Sequence, residues 1–304
     1  MKHLFHTKKI LFIAFLWSIG FIAGSHAQTV VNGFYPSQND LTVAVSYGYK
    51  SYERFFIGNT LGDGNPAMLG DINSSIYNLY GEYGITDWLS ATLTLPYITV
   101  ESEAGNPDPV QNESKVSGIQ DLAVYLKAKA LEANFSGGSR ISMGGAISYS
   151  LPVGGYEGGG VLSLGNEANN LSAVGIVQIT TSYNLFTEFQ GGYSLRNSSD
   201  FDIPNATIFS GKLGYFNDYF YVDTKIGIQN SQSGLDIGTP EFGEAGAAAV
   251  LPETNVDYTE LSFNLYVPFY KNMLGASASY ATTLEGRNYN DASGFSIGLV
   301  YTLR

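Results

Sequence analysis

An apolar residue at every second position is the pattern that dominates this chain after residue 40. Residues 41–50 (LTVAVSYGYK) place leucine, valine and tyrosine side chains on one face and small or polar side chains on the other. Residues 88–97 (WLSATLTLPY) and 295–303 (FSIGLVYTL) repeat this alternation. The side chains of a β-strand point alternately to its two faces, so the pattern predicts strands with one apolar face.

Twelve segments show the alternation, and most of them are longer than the strands of soluble proteins, which usually have about five or six residues. Their length suits a tilted membrane-spanning strand, which needs about 9–11 residues. No segment of the chain after residue 40 shows a sustained helical period. The predicted strands are 41–57, 75–85, 88–98, 118–131, 140–151, 171–180, 185–195, 206–216, 219–229, 257–269, 273–282 and 294–303.

The connections between these segments alternate in length. The connections after the even-numbered strands are short, as at Thr86-Asp87 and Asn217-Asp218, whereas those after the odd-numbered strands are long. Short turns at one end and long loops at the other are typical of outer-membrane barrels. We therefore predict an all-β fold over residues 41–304. It is a single antiparallel transmembrane β-barrel of about 12 strands, with short periplasmic turns and long extracellular loops.

Residues 1–27 have the features of a secretory signal peptide. Three lysines precede the apolar run of residues 10–22, and Ser25-His26-Ala27 forms a small-residue cleavage site. A transmembrane anchor is the alternative, but this run is too short to cross a bilayer of about 30 Å as a helix. Residues 28–40 are then predicted to be a periplasmic N-terminal segment or a plug of the barrel.

Loss of the signal peptide would remove all three histidines, and the chain has no cysteine. Catalysis by Ser-His-Asp or Cys-His groups and zinc sites built from histidine or thiolate are then excluded. Residues 294–298 (GFSIG) match the Gly-x-Ser-x-Gly elbow of lipases and esterases, but they lie inside an alternating strand and have no histidine partner. We predict no enzyme activity, no metal site and no cofactor.

The charge balance excludes a further class of partner. Charged residues make up 14% of the chain, against about 25% in soluble domains. Removing the three lysines of the signal peptide takes Lys and Arg from 15 to 12, against 27 acidic residues. Nucleic-acid binding needs clustered lysine and arginine, so no nucleic-acid partner is expected.

Charged side chains fall on the less apolar face of many predicted strands. In a barrel whose apolar face meets lipid, this second face lines the lumen. Five bases and five acids predict a nearly neutral wall, which would favour neutral or weakly polar solutes. The predicted lumen-lining residues are Glu82, Asp121, Lys127, Lys129, Arg140, Glu188, Lys212, Asp223, Lys225 and Glu260.

The predicted long loops contain many acidic residues and only three basic ones, which are Lys115, Arg196 and Arg287. The simplest interpretation is a solvated, charged outer surface. Divalent-cation bridging to lipopolysaccharide and binding of a cationic partner are the alternatives, although no calcium-loop spacing is present.

Three stretches resemble one known family. Residues 83–97 (YGITDWLSATLTLPY) join two strands through a Thr-Asp turn and end on Leu-Pro-Tyr. Residues 117–131 (SGIQDLAVYLKAKAL) begin with Ser-Gly-x-x-Asp-Leu, and residues 148–156 (SYSLPVGGY) contain Leu-Pro-x-Gly. In this order and spacing they resemble the outer-membrane family named for the MetA pathway of phenol degradation. The resemblance implies a transporter-like barrel associated with uptake of aromatic or other hydrophobic small molecules, and it implies no catalytic residues.

The leading hypothesis is therefore a passive channel in the Gram-negative outer membrane for small neutral, aromatic or hydrophobic molecules. Twelve strands predict a narrow lumen, between the filled eight-stranded barrel and the wide pore of 16–18 strands. The alternative is a structural or adhesive barrel with a blocked lumen and partner-binding acidic loops. The expected partners are outer-membrane lipid and lipopolysaccharide, a small-molecule solute, and the barrel-assembly machinery during insertion.

Overall fold

The computed structural model describes residues 31–65, 67–271 and 273–304. The predicted signal peptide lies outside the described residues, and so do residues 28–30 of the predicted N-terminal segment. We call residues 31–40, the part of that region that the structure describes, the N-terminal segment.

Twelve antiparallel strands form one sheet, and each strand pairs with its neighbours in chain order. The first strand pairs with both the second and the twelfth, so the sheet closes into a barrel. The predicted all-β barrel of about 12 strands is confirmed. Its strands are β1 (Leu41–Tyr52), β2 (Ile72–Thr86), β3 (Leu89–Ser102), β4 (Lys115–Ile119 and Asp121–Asn134), β5 (Arg140–Pro152), β6 (Asn169–Thr180), β7 (Leu185–Asn197), β8 (Ala206–Phe216), β9 (Tyr221–Ser231), β10 (Asp257–Tyr270), β11 (Leu274–Arg287) and β12 (Ser293–Leu303).

The two faces of the strands differ in the way that the alternation predicts. Residues of the apolar face, such as Leu213 and Leu299, point outward and expose 59% and 58% of their surface. Residues of the other face, such as Ser90 and Thr92 of β3, are buried inside. Closure pairs the backbone groups of all twelve strands, which leaves no open sheet edge. The barrel therefore has an apolar exterior and a polar interior.

The two ends of the barrel differ in the length of their connections. The turn end carries the short connections, which are residues 87–88, 135–139, 181–184, 217–220 and 271–273. The loop end carries residues 53–71, 103–114, 153–168, 198–205, 232–256 and 288–292. The last of these has five residues, fewer than predicted, because β11 continues to Arg287. In the neighbouring 53–71 connection β1 ends at Tyr52, earlier than predicted, and Phe56–Ile57 pairs with Thr60–Leu61 as a separate small hairpin.

The 232–256 loop contains helical structure that the sequence pattern did not predict. A short helix, α1 (Pro240–Ala245), begins after Thr239, whose hydroxyl accepts a hydrogen bond from the Phe242 N–H. A 3₁₀ segment follows over Ala247–Glu253. Within the described ranges, no helix is long and apolar enough to cross a bilayer.

Among the described residues, the largest cluster of buried apolar side chains lies at the loop end, where the long loops pack on one another and on the adjoining ends of the strands. Its fully buried members include Ile72 of β2 and Leu162 of the 153–168 loop. We call this group the loop cluster. Its buried members are Tyr52, Phe55, Leu69, Ile72, Ile76, Ile98, Val100, Tyr156, Leu162, Leu164, Ile237, Phe242 and Ala292.

One buried carboxylate joins two of these loops. Asp108 accepts hydrogen bonds from the N–H groups of Val161 and Leu162 at 2.6 and 3.0 Å, and from two N–H groups of its own loop. Gly160 beside it has φ +92°, and a Cβ there would lie 2.6 Å from the carboxylate. A glycine is therefore required where the 153–168 loop folds over Asp108.

Candidate functional site

The N-terminal segment enters the barrel from the turn end and fills part of its interior. The Gly33 N–H donates to Glu188 Oε2 at 2.7 Å, and the Val31 carbonyl accepts from Gln190 Nε2 at 3.0 Å. Lys127 Nζ donates to the carbonyls of Asn32 and Phe34 at 3.2 and 2.6 Å. An extended chain away from water needs such partners for its backbone groups, and the barrel wall supplies them through side chains.

Aromatic contacts fix the same segment. The Phe34 ring packs edge-on against Phe186, Phe216 and Tyr221, with centroid distances of 5.2, 5.5 and 6.0 Å. Such edge-to-face pairs add to the free energy gained by burying the rings. Phe34 thus occupies the interior beside β7, β8 and β9.

Tyr35 lies between two lysines of β4. Lys127 Nζ and Lys129 Nζ stand 4.9 and 5.7 Å from its ring centroid, and its hydroxyl donates to the Ala128 carbonyl at 3.3 Å. Burial, reinforced by the Glu188 carboxylate, raises the pKa of Tyr35 to about 12. The ring is therefore neutral at physiological pH and offers the lysines a cation–π contact.

Four of the predicted lumen-lining residues form two ion pairs around this segment. Lys127 Nζ lies 2.9 Å from Glu82 Oε1, and the lysine side chain is fully buried. Lys212 Nζ lies 3.2 Å from Glu188 Oε1, and the glutamate is nearly as buried. Lys127 and Glu188 each hold both an ion-pair partner and the backbone of the N-terminal segment. We call these four residues the ionic clamp.

The structure places the other six predicted residues in separate groups. Lys129 and Arg140 share Glu132 at the turn end, at 3.0 and 4.0 Å. Asp223 accepts hydrogen bonds from Tyr221 and Asn264, and Lys225 is buried on β9, in register with Lys212.

The remaining two acids lie toward the loop end. Asp121 accepts from the hydroxyl of Tyr156 in the 153–168 loop. Glu260 accepts from the Tyr289 hydroxyl at 3.0 Å. Each of these carboxylates therefore contacts a tyrosine carried by a connection of the loop end.

Two cavities lie on the loop side of the N-terminal segment. The first has a volume of about 650 Å³, and its walls carry the hydroxyls of Ser46, Ser262 and Ser296. The second has about 580 Å³ and lies beside β6 and β7. Tyr52 and Tyr289 line both, so the two cavities adjoin. A third space, of about 880 Å³, opens at the turn end below Phe34.

Two bases of this interior are not among the predicted lumen-lining residues. Lys50 lines the first cavity, with its Nζ 5.4 Å from the Tyr289 ring centroid. Arg196, which was assigned to a long loop, belongs to β7 and lines the second cavity. Arg196 continues the alternation of Glu188, Gln190 and Ser194. A predicted strand that extended past residue 195, as β7 does, would have placed Arg196 in the interior.

No family model matches the chain, and no characterised protein is detectably similar to it in sequence. Among solved structures, the COG4313 outer membrane channel from Pseudomonas putida F1 has a TM-score of 0.67 at 13% identity, covering 91% of this chain and 99% of that chain. The NanC porin has a TM-score of 0.49 at 11% identity, with 86% and 100% covered. The KdgM porin has 0.47 at 8% identity, with 86% and 99% covered.

The first of these similarities shows that the chain has the fold of that barrel. At TM-scores below 0.5, the two porin similarities do not bear on function.

Proposed function

We propose that this protein is a passive channel of the Gram-negative outer membrane for small molecules that are neutral, aromatic or hydrophobic. The observation that carries the proposal is a closed twelve-stranded barrel with an apolar exterior and unfilled space inside. An apolar outer face is stable against lipid, and a polar inner face suits a solute path. The fold shared with the outer membrane channel of Pseudomonas putida F1 supports the same proposal.

We infer the orientation from the difference between the two ends. The short connections would face the periplasm and the long, acid-rich loops the outside, as in other outer-membrane barrels. An epitope tag inserted at Gly105 or Gly234 should be detected on intact cells, whereas one at Asn217-Asp218 should need a permeabilised outer membrane. Detection in the opposite order would invert the orientation.

The cavity walls favour uncharged solutes with an aromatic part. The first cavity offers serine hydroxyls and the amide of Asn264, while Tyr52 and Tyr289 provide ring surface. Most interior charges are already paired with each other or with tyrosines. The resemblance to the phenol-degradation family favours the same solute class. We infer transport by diffusion, with ring contacts and hydroxyl hydrogen bonds along the path.

The N-terminal segment controls whether that path is open. It crosses the interior at the turn end, where the ionic clamp and the Phe34 contacts hold it. A solute that passes from the first cavity to the turn end must therefore displace this segment. We infer a channel with low resting permeability that opens when the segment leaves its place.

Flux through pure protein tests the proposal. Refolded protein in liposomes should admit arabinose in a swelling assay and give brief single-channel steps in planar bilayers. A chain lacking residues 31–37 should swell the liposomes faster. If neither chain passes solute or current, the channel proposal fails.

The packed loops and the N-terminal segment inside the barrel also fit the alternative of a structural or adhesive barrel. The loop cluster and Asp108 hold the long loops together as one packed surface at the loop end. Absence of flux from both chains, together with loop-dependent binding of a surface partner, would favour that alternative.

A further inference from the structure

Arg196 is a base inside the barrel without an acidic partner. Its Nη2 donates to Gln229 Oε1 at 2.5 Å, and its backbone N–H donates to Asn205. Among the residues that the structure describes, no carboxylate oxygen lies within 4.0 Å of its guanidinium. Arg54, Arg140 and Arg287 each have one within that distance.

The guanidinium of Arg196 therefore has N–H donors that are available to a ligand. A guanidinium carries five N–H donors in a planar fork, and Gln229 takes one direction of that fork. A positive charge removed from bulk water gains most from an anion that it can bind in bidentate fashion. Arg196 lines the cavity of about 580 Å³, a volume within the usual range of ligand pockets.

The wall beside Arg196 offers further polar groups. Ser194 lies two residues away on the same face of β7, and its Oγ accepts from Ser172 Oγ at 2.9 Å. Asn170 donates to Ser150 at 3.0 Å, while its own buried Oδ1 has no hydrogen-bond partner. This side of the cavity therefore combines one charge with hydroxyl and amide groups.

The cavity also carries aromatic side chains, and Tyr258 lies beside Gln229 in the β9–β10 register. Tyr258 and Tyr289 stack with ring centroids 4.3 Å apart, and both line the cavity together with Tyr125 and Tyr52. A flat ring can pack against such surfaces while a charged group attached to it reaches Arg196.

We propose that Arg196 and the polar wall beside it bind the carboxylate of a small aromatic acid inside the barrel. The guanidinium pairs with the carboxylate, and the tyrosines contact the ring. Transport of such acids would add a charged class to the neutral solutes, and this part of the proposal rests on the proposed channel function. As a binding site it does not depend on that function.

Calorimetry on the full, detergent-refolded protein tests the site with benzoate, and with benzamide as the uncharged probe of nearly equal shape. Benzoate should bind more tightly than benzamide by roughly tenfold or more, the range expected for charge-assisted hydrogen bonds. Arg196→Gln should remove this preference, because benzoate loses a charge-assisted pair whereas benzamide loses at most a neutral hydrogen bond. The matched control is Arg54→Gln, because Arg54 lies on the loop outside the cavity and pairs with Asp291.

Arg196→Lys keeps the charge without the fork and should retain part of the preference, which separates recognition from a folding defect. Equal binding of the two probes by the unaltered protein, absence of benzoate binding, or an unchanged preference in Arg196→Gln would each overturn the site. Binding without liposome flux would refute only the channel. Flux without binding would refute only the site.

Discussion

The turn half and the loop half of the barrel interior are occupied through different kinds of contact. In the turn half, the backbone of the N-terminal segment is held by charged and amide side chains of the wall, with Lys127 and Glu188 at the centre. In the loop half, long loops pack through an apolar cluster around Leu162 and Ile72. The same alternating strands form the wall of both halves, so the difference comes from what enters the barrel.

This difference has an energetic consequence. Removing one member of a buried ion pair leaves a charge without compensation, which is among the costliest changes to a folded protein. An apolar cluster weakens more gradually, because neighbouring side chains and loops can move into the space. The turn half should therefore respond sharply to single charge changes, whereas the loop half should respond to loss of packing.

The largest expected effect comes from Lys127→Met. The change leaves Glu82 without its ion-pair partner and removes the donor to the Asn32 and Phe34 carbonyls. We expect a loss of about 3–5 kcal/mol in an equilibrium urea titration. Lys129→Met is the matched control on the same strand, because its Glu132 pair is partly exposed and should cost about 0–1 kcal/mol. Equal losses in both variants would mean that the clamp does not hold the turn half.

The loop half is tested by Leu162→Ala. Leu162 is fully buried in the loop cluster, so truncation should cost about 2 kcal/mol, the lower end of the usual range, because the loops can partly collapse. Val153→Ala in the same loop is the control, since Val153 is 45% exposed and should change stability by about 0.5 kcal/mol or less.

Because different contacts hold the two halves, we expect the loosening caused by Leu162→Ala to stay within the loop half. The chain has no cysteine, so single cysteines report accessibility without background. In the Leu162→Ala background, maleimide should label Ser163→Cys faster, while Val31→Cys stays protected. Faster labelling at both positions would show that the halves open together.

The smallest expected effect is a pH-dependent loosening of the 232–256 loop. Asp236 accepts two hydrogen bonds from Arg287, at 2.9 and 2.7 Å, and one from Asn288. The Arg287 hydrogen bonds, followed by that of Asn288, hold the pKa of Asp236 below its ordinary value. Its contribution to stability is therefore present above the ordinary carboxyl pKa of about 4 and is lost as the pH falls below it.

A nitroxide label at Gly243→Cys measures this loosening, because a Cβ at Gly243 meets open space. The label should gain mobility below about pH 4, and Asp236→Asn should make the profile flat. A flat profile in the unaltered protein would show that the ionised Asp236 does not hold the 232–256 loop in place.

The strands and their faces were predictable from the sequence, because alternation reports directly on which side a residue faces. Ser90 and Thr92 point inward for the same reason that Leu93 points outward. Strand ends were less predictable, and Arg196 was therefore assigned to a loop. The helix α1 has only six residues, which is too short for a helical period to be visible in the sequence.

The contacts within the interior were not predictable from the same pattern. Lys127 meets Asn32 and Phe34, which lie more than 90 residues away in the chain, only because the barrel closes and the N-terminal segment enters it. Glu188 meets Lys212 because β7 pairs with β8 in a register that opposes the two residues. Alternation gives the face of each residue, but it does not specify which faces meet across a barrel.

The most direct test of the account is the single-channel conductance of the full chain beside that of a chain lacking residues 31–37. The deletion removes none of the four residues of the Lys127–Glu82 and Lys212–Glu188 pairs, so the wall keeps its charge balance. The account predicts rare, small steps from the full chain and persistent, several-fold larger steps from the shortened one. Equal conductance from the two chains would contradict closure of the turn half by the N-terminal segment.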